Sequence, residues 1–560
     1  MSTPLPEEVL TTGAPDGRTD RPGAIETRGI EPVPDSERGG GALGLFWTWF
    51  AANIGVIGIT EGAALVTFKG LNAWQALLVA LVGSAISFLL VGLLSITGKR
   101  GGAPGLTLSR AVFGTHGNVG PTIVSWLTFV GWETITCTTA AYALVDLLGK
   151  AGLHSSDTLI VITLLVTVVI AASVGLFGHA TIMWVQRWLT WVFGTLTLIV
   201  IGFLIDKVDW HSVTHQHPGS TAAVIGAVGF IAAGTGIGWL SAGADYARYL
   251  PRRVRGSSLV TATTIGSVIP LVVIVTMGAL LAVSDSSLAS ANDPVAAIGG
   301  PLPNWLSVPY LVVAVIGLIA NADLSMYSSG LNLITAGIRI RRTAAVAVDA
   351  VLIVAGGLYI TVIAKNFYGT FTTFLTLLAI PMTAWAATIG VDMIRRREFD
   401  QEALLDRRPG SRYWYTGGIR WVAVAPWLLG IVLGLLFTTA SNGTDVWFSG
   451  PWAHTWLGVN GLGWLVSGVV SAALYAAFGL RSVAGDHPAT TGPAAGPWRR
   501  AAGGAFPIPA SEPASVPASG PALPGGAALP GEAALPGGTD RRSSAAVPAG
   551  GPALPDGTDR

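Results

Sequence analysis

Apolar stretches of close to twenty residues recur along most of the chain, among them Leu77 to Ile96, Leu159 to Phe177, Leu271 to Val283 with its flanks, and Trp421 to Phe437. A helix needs about 20 residues to cross a hydrocarbon core. Barrel strands are shorter and alternate apolar with polar positions, so the pattern predicts helices. Read with its punctuation by Gly, Pro and charge, it predicts twelve spans beginning near residues 44, 73, 119, 157, 184, 223, 260, 305, 344, 370, 419 and 455. The pattern fails at both ends. Residues 1–42 lack apolar periodicity, and residues 483–560 are dominated by Ala, Pro and Gly, with Ala-Leu-Pro-Gly at 522, 528 and 534. Such segments bury too little surface to offset chain entropy. The expected organisation is a disordered N-tail (1–42), a twelve-helix domain (43–482) and a disordered C-tail (483–560).

Two of the predicted spans are weak in their middles. The first reads Trp47-Thr-Trp-Phe-Ala-Ala-Asn-Ile-Gly-Val-Ile-Gly-Ile-Thr-Glu-Gly62, and the sixth reads Val224-Ile-Gly-Ala-Val-Gly-Phe-Ile-Ala-Ala-Gly-Thr-Gly-Ile-Gly-Trp239. Each glycine lowers helix propensity by about 1 kcal/mol relative to alanine. If the first ten spans are two units of five, spans one and six correspond, and an odd number per unit turns the second upside down. Gly-interrupted segments in corresponding places point to a transporter's central site, where freed carbonyls hold a cation and half-helix ends meet the substrate. Asn53 and Gly55 in span one, and Gly236 and Trp239 in span six, mark that place. The competing reading, close helix approach through small residues, applies to Gly234 and Gly238.

Lys and Arg assigned to alternate faces separate sharply. Lys69, Lys150, Lys207 and Lys365 fall on one side. Lys99, Arg100, Arg110, Arg187, Arg248, the arginines at 252, 253 and 255, those at 339, 341 and 342, and the run from Arg395 to Arg420 fall on the other. That side is expected to be cytoplasmic, with both termini on it. The N-tail has no short apolar core beside a cleavage site, so a cleaved signal peptide is not expected.

Composition adds exclusions. Charged residues are 11% of the chain, where soluble domains carry about 25%; the mean hydropathy is +0.59. A net charge of +1 gives no reason to expect nucleic acid. One cysteine, Cys137, allows neither an internal disulfide nor a cysteine metal site. His211, His215 and His217 form a loop cluster read as solvated rather than as a metal site. No nucleophile–base motif stands inside a span, so an enzyme is not expected, nor is an organic cofactor.

Polar side chains inside spans supply candidate chemistry. On span three, Trp132, Thr136 and Thr139 share a face; on span eight, Asn321, Ser325, Ser328 and Asn332 do. Both stripes are expected to line a polar cavity, with helix-to-helix bonding as the alternative. Ionisable groups at mid-membrane cost about 2.5–3.5 kcal/mol and usually line pathways. Glu61, Glu133 and Asp323 are the candidates, as proton seat, as sodium counter-charge or as structural acids.

Trp49-Phe-Ala-Ala-Asn53, Gly70-Leu-Asn-Ala-Trp-Gln-Ala76, Leu108-Ser-Arg-Ala-Val-Phe-Gly114, Val130-Gly-Trp132 and Ala244-Asp-Tyr-Ala-Arg-Tyr-Leu-Pro251 together resemble the purine/cytosine permease branch of the nucleobase:cation symporters, from about residue 43 to 480. The resemblance implies an all-α membrane protein of twelve helices, with the inverted five-plus-five repeat of the leucine transporter type and discontinuous helices one and six. It implies cation-coupled uptake, by H+ or Na+, of a nucleobase such as cytosine or a purine at the cell membrane. The same fold also serves allantoin, hydantoin or vitamin carriers. Trp132 and Trp239 match the aromatics that flank the base. Thr136 and Ser325 replace two of the family's amides, while Asn321 and Ser328 are kept. By this resemblance the substrate-binding set is Trp132, Thr136, Trp239, Gly236, Asn321 and Ser325. With the intramembrane acids named above, the ion-coupling set is Asn53, Gly55, Glu61, Glu133, Asp323 and Ser328, and the resemblance implies that any sodium site lies between the break in span one and span eight.

Overall fold

The computed structural model describes residue 23 and residues 28–289, 293–338, 340–364, 366–441 and 445–483. Most of the expected tails, together with Arg339 and Lys365, lie outside the described residues. In chain order the helices are α1 (Ala42–Asn53), α2 (Ile57–Thr67), α3 (Ala73–Gly101), α4 (Gly105–Phe113), α5 (Val119–Lys150), α6 (Asp157–Val174), α7 (His179–Leu204), α8 (Trp210–His215), α9 (Thr221–Gly234) and α10 (Ala242–Ala247). They continue with α11 (Gly256–Ser284), α12 (Pro294–Gly299), α13 (Asn304–Ala336), α14 (Arg342–Leu358), α15 (Phe367–Arg395), α16 (Gln401–Leu405), α17 (Trp421–Leu436), α18 (Trp456–Val459), α19 (Gly463–Leu474) and α20 (Leu480–Val483). One short antiparallel hairpin, Thr439–Ser441 with Val446–Ser449, follows α17.

Among the described residues, nine helices are long and apolar enough to cross a membrane, and α1 with α2 make a tenth span bent by 60°. The eleventh and twelfth expected spans are α5, which is not among those nine, and the shorter apolar α17. α5 carries Trp132, Glu133 and a run of threonines and packs against α6, α13, α14 and α15. Protein surrounds it, and its composition answers to protein rather than to lipid. The expected starts hold to within a few residues for most spans; the largest shift is the last, where α18 and a turn precede α19.

The contacts follow the exchange of each span with the one five further on. α3 packs on α11 and α5 on α13, which pairs spans two with seven and three with eight. The α1–α11 contact has its counterpart in α3 with α9 and α10; α7 on α13 has its counterpart in α15 on α5. A repeat of two five-span units gives this pattern, and the odd number of spans turns the second unit upside down relative to the first. α17 and α19 stand outside the repeat and pack on α15.

Both predicted interruptions are present. The first span breaks at residues 54–56; the sixth leaves helical geometry at Thr235 (φ −121°, ψ −101°), makes a tight turn over Gly236–Trp239 and resumes at α10. The glycines divide between two duties. Gly55 sits in the break, whereas a β-carbon on Gly62 would overlap the Val275 carbonyl of α11 and one on Gly278 would overlap that of Ile59. Gly62 and Gly278 serve close approach of α2 to α11.

The basic residues expected on one face do meet there. Arg100 Nη1 donates to the carbonyls of Met393 and Arg396, both at 3.2 Å, and Lys99 Nζ to Val254 O at 2.8 Å. Arg110 donates to Leu404 O and Thr335 O. Residues 28–41 correct the expectation of a structureless N-tail. Val33 N bonds to Gly102 O at 2.8 Å, Arg38 donates to Val33 O and Lys99 O, and Arg28 pairs with Glu37 at 2.7 Å. Two family-like motifs prove architectural. Asn72 and Gln75 form a capping box on α3, and the Gln75 amide also clamps Gly219 ahead of the sixth span. Asp245 Oδ1 accepts from Gly105 N, capping α4.

Candidate functional site

A cavity lies where the two broken spans face each other. Its inner part is lined by Asn53 and Gly55 of the first break, Glu61 of α2, Trp132 and Thr136 of α5, Gly234, Thr235 and Trp239 of the sixth-span break, and Asn321 of α13. From there it runs between α7, α11 and α13 past Phe193 and Ile274 to Leu204 and Tyr310, at the end opposite the arginine-rich face.

The two indoles are each held from the side. Trp132 meets Phe371 and Phe374 of α15 edge-on, with centroids at 5.7 and 5.9 Å. Trp239 meets Trp49 edge-on at 5.6 Å and Phe129 at a tilt at 6.1 Å. Aromatic pairs favour such edge contacts because the ring edge is positive and the face negative. Both indoles border the cavity and are 8% and 6% exposed. Gly238 makes room for Trp132, since a β-carbon there would collide with its Nε1.

The polar groups around them are partly engaged. Thr136 Oγ1 donates to its own Trp132 O at 2.8 Å, Asn53 Nδ2 to Trp49 O at 2.7 Å and Asn321 Nδ2 to Ala52 O at 2.6 Å. Thr235 Oγ1 donates to Ile231 O at 2.7 Å and lies 3.1 Å from Ser87 Oγ of α3. Glu61 is 2% exposed, and its Oε1 has no hydrogen-bond partner among the described residues.

Several expected residues lie elsewhere. Gly236 turns toward α3, where its N–H donates to Ser87 Oγ at 3.2 Å and a β-carbon would press on Ser87. Ser325 and Ser328 are buried one and two turns beyond Asn321 on α13, past the cavity's closed end. There Tyr246 OH donates to Leu324 O at 2.7 Å, His179 stacks on Tyr249 at 3.8 Å, and Arg248 donates to Gly29 O, Tyr249 OH and Tyr327 OH. Asp323 faces that cluster, beside Gly175 and Tyr246. Glu133 is fully buried on another side of α5, with Asp349 of α14 as its charged neighbour. Asn332 bonds to Ser125 at 2.9 Å, and Ser125 to Ser241 at 2.7 Å, so the far end of that stripe joins helices.

Sequence reasoning missed Thr235, Tyr310 and the aromatic–arginine closure. Thr235 was signalled only by its place between two glycines, and the closure by the tyrosines around Arg248. His211 and His215 stack at 4.3 Å within α8. Among the described residues no group of three or more His, Cys, Asp or Glu is placed to hold a metal.

Residues 32–466 match the family described as permeases for cytosine/purines, uracil, thiamine and allantoin. YxlA of Bacillus subtilis (strain 168) is 25% identical over 464 residues, covering 80% of this chain and 95% of YxlA. The purine-cytosine permease FCY2 of Saccharomyces cerevisiae is 26% identical over 277 residues, 48% of this chain and 49% of FCY2. Among solved structures, Mhp1, a nucleobase-cation-symport-1 family transporter, in a closed conformation with bromovinylhydantoin bound, superposes with a TM-score of 0.65 at 20% identity, over 83% of this chain and 97% of Mhp1. Its inward-facing form gives a TM-score of 0.62 at 18% identity, over 83% of this chain and 96% of that one. The fold is therefore the inverted repeat of the leucine transporter type. With the matched family spanning more than three quarters of its length, the chain belongs to the permeases for cytosine/purines, uracil, thiamine and allantoin, and is a multi-span membrane transporter rather than an enzyme.

Proposed function

We propose that this permease takes up a nucleobase such as cytosine or a purine across the cell membrane, coupled to a cation and working by alternating access. The observation that carries this reading is the placement of Trp132 and Trp239 on one cavity at the level of both helix breaks. A planar ring held by these indoles gains about 1–3 kcal/mol from each stacked aromatic. Stacking accepts many rings; Asn53, Thr136, Thr235 and Asn321 then choose among them by hydrogen bonds, because an unpaired buried polar group is costly. The cation is a proton or sodium. Support for a cation comes from the C-terminal end of α1 at the break, the negative end of that half-helix, which meets α13 where Asn321 donates to Ala52 O.

With the arginine-rich face inside the cell, the cavity runs outward and the cluster of Tyr246, Arg248, Tyr249 and Tyr327 closes the inner side. The state described is thus open or closing toward the outside. Rocking of one bundle against the other would exchange the two accesses. A carrier for allantoin or another hydantoin is the second reading, favoured by the bromovinylhydantoin bound to Mhp1. Uptake of labelled cytosine, hypoxanthine, uracil and allantoin into vesicles, with sodium and proton gradients imposed separately, tests both. Saturable, gradient-driven uptake of a base is expected; uptake of none of them, or uptake that does not saturate, overturns the reading.

A further inference from the structure

Glu61 stands apart from every other residue of the cavity. Among the described residues no Lys, Arg, His or other acid lines it. An ionised carboxylate in an apolar, membrane-embedded site is costly without a counter-charge. The elements against α2 are α11, α9, α3 and the turn at 286–289. α9 and α11 carry no titratable side chain, α3 has Lys99 and Arg100 only at its far end, and Asp285 precedes the turn at the opposite mouth. The group needs a proton, or a ligand's N–H donors, from the cavity itself.

The rest of the lining shows which. Thr136 and Thr235 each spend their one O–H on a backbone carbonyl and keep only acceptor lone pairs, and Asn53 and Asn321 each spend one of two N–H groups the same way. A nucleobase edge carries an acceptor, a ring nitrogen or a carbonyl, next to an N–H. The spent hydroxyls offer the acceptor of that edge no donor. A protonated carboxyl corrects this, since its O–H donates to the ring acceptor while its other oxygen takes the neighbouring N–H. Glu61 also has mechanical reach. Its Oε1 lies so close to Gly234 that any side chain there would overlap it, and Gly234 is the last helical residue before the turn that carries Trp239.

Building on the uptake reading, we propose that Glu61 is the seat of the coupling proton and presents it to the substrate edge, so that base and proton bind as one unit. The substrate class is then a planar ring with an N–H beside a ring nitrogen or carbonyl, as in cytosine, adenine, uracil and hypoxanthine. On the outer side Glu61 takes a proton from water and the base pairs with it. When the cavity opens inward the base leaves, water enters and the proton follows. Base and proton cross together, and neither is altered chemically.

The test uses the full chain, purified and reconstituted, with cytosine and uracil as probes. On the alkaline side, where affinity should fall about tenfold per pH unit, wild type should take up one proton per base bound in lightly buffered solution. Glu61→Gln keeps one donor and one acceptor but cannot titrate. It should exchange base for base with a flat pH profile and fail to accumulate base under an imposed proton gradient. 1,3-Dimethyluracil, which lacks the N–H, should compete at least about tenfold more weakly than uracil. Proton-driven accumulation by Glu61→Gln, or base binding by wild type with neither proton uptake nor loss of affinity as pH rises, overturns the proposal while leaving nucleobase transport standing. If wild type moves no base under any gradient, both readings fall. Should Glu61→Gln not fold, proton uptake and the dimethyluracil comparison on wild type still decide.

Discussion

Removing the Trp132 indole tests the stacking site most directly, and its effects on binding and on folding are separable. In Trp132→Ala one wall of the cavity disappears. Stacking on an aromatic contributes about 1–3 kcal/mol per base, so the KM for the transported base should rise about 5- to 150-fold. The same change removes a side chain that is 8% exposed and packed edge-on against Phe371 and Phe374, which should cost about 3–5 kcal/mol of stability. Two further variants keep the terms apart. Trp132→Phe retains a ring and should raise KM less than about tenfold. Trp427→Ala removes an indole that is 6% exposed and bonded to Pro381 O at 3.1 Å, away from the cavity; it should lower the thermal midpoint and leave KM unchanged. The assay is initial-rate uptake into proteoliposomes, normalised to inserted protein, beside thermal unfolding in detergent. An unchanged KM in Trp132→Ala, or an equal rise in Trp427→Ala, would refute the stacking argument.

Gly238→Ala should reproduce part of the Trp132 defect without touching the indole, because the added methyl drives Nε1 aside; KM should rise at least about fivefold, one stacking contact's worth, and an unchanged KM would show that the indole has room. Arg248→Ala removes the hydrogen bonds to Gly29 O, Tyr249 OH and Tyr327 OH that close the arginine-rich end, each about 1.5–3 kcal/mol for a charged donor. With the buried Cys137 replaced by Ser, a cysteine at Ala51 should then react at least about tenfold faster with an impermeant maleimide applied from that face; equal rates would mean the cluster does not gate access. Arg420 bonds to Tyr475 OH and Ser482 Oγ, both at 2.6 Å, and lies 3.5 Å from Asp392. Arg420→Ala leaves that buried acid short of one partner and should cost up to about 3–5 kcal/mol, read as a lower thermal midpoint with KM unchanged.

Span number, both breaks and the sorting of basic residues were legible because each rests on a one-dimensional signal: apolar length, clustered glycine and alternating charge. The indoles Trp132 and Trp239 were legible for the same reason, being aromatics beside those breaks. What escaped depends on which way a helix faces. Gly55 and Gly62 look alike in sequence, yet one sits in a break and the other admits the Val275 carbonyl. Asn321 and Ser325 are one turn apart on a single stripe, but the cavity ends between them where Tyr246 bonds to Leu324. Glu61 and Glu133 are equally buried acids in apolar spans, and only packing shows that the first lines the cavity while the second faces Asp349. The ordered stretch ahead of α1 was illegible because its order comes from partners scattered along the chain, such as Gly102, Lys99 and Tyr249.

That stretch behaves as a clasp, not as a leash. Gly29 O accepts a hydrogen bond from Arg248, Gly39 N donates to Tyr249 O, and Asp35 meets Arg252 at 3.0 Å, so one short strand of chain fastens the tail end of the sixth span from three sides. Proteolysis or an engineered start at residue 42 would spare every membrane-crossing helix and still unbuckle the segment that follows the central break.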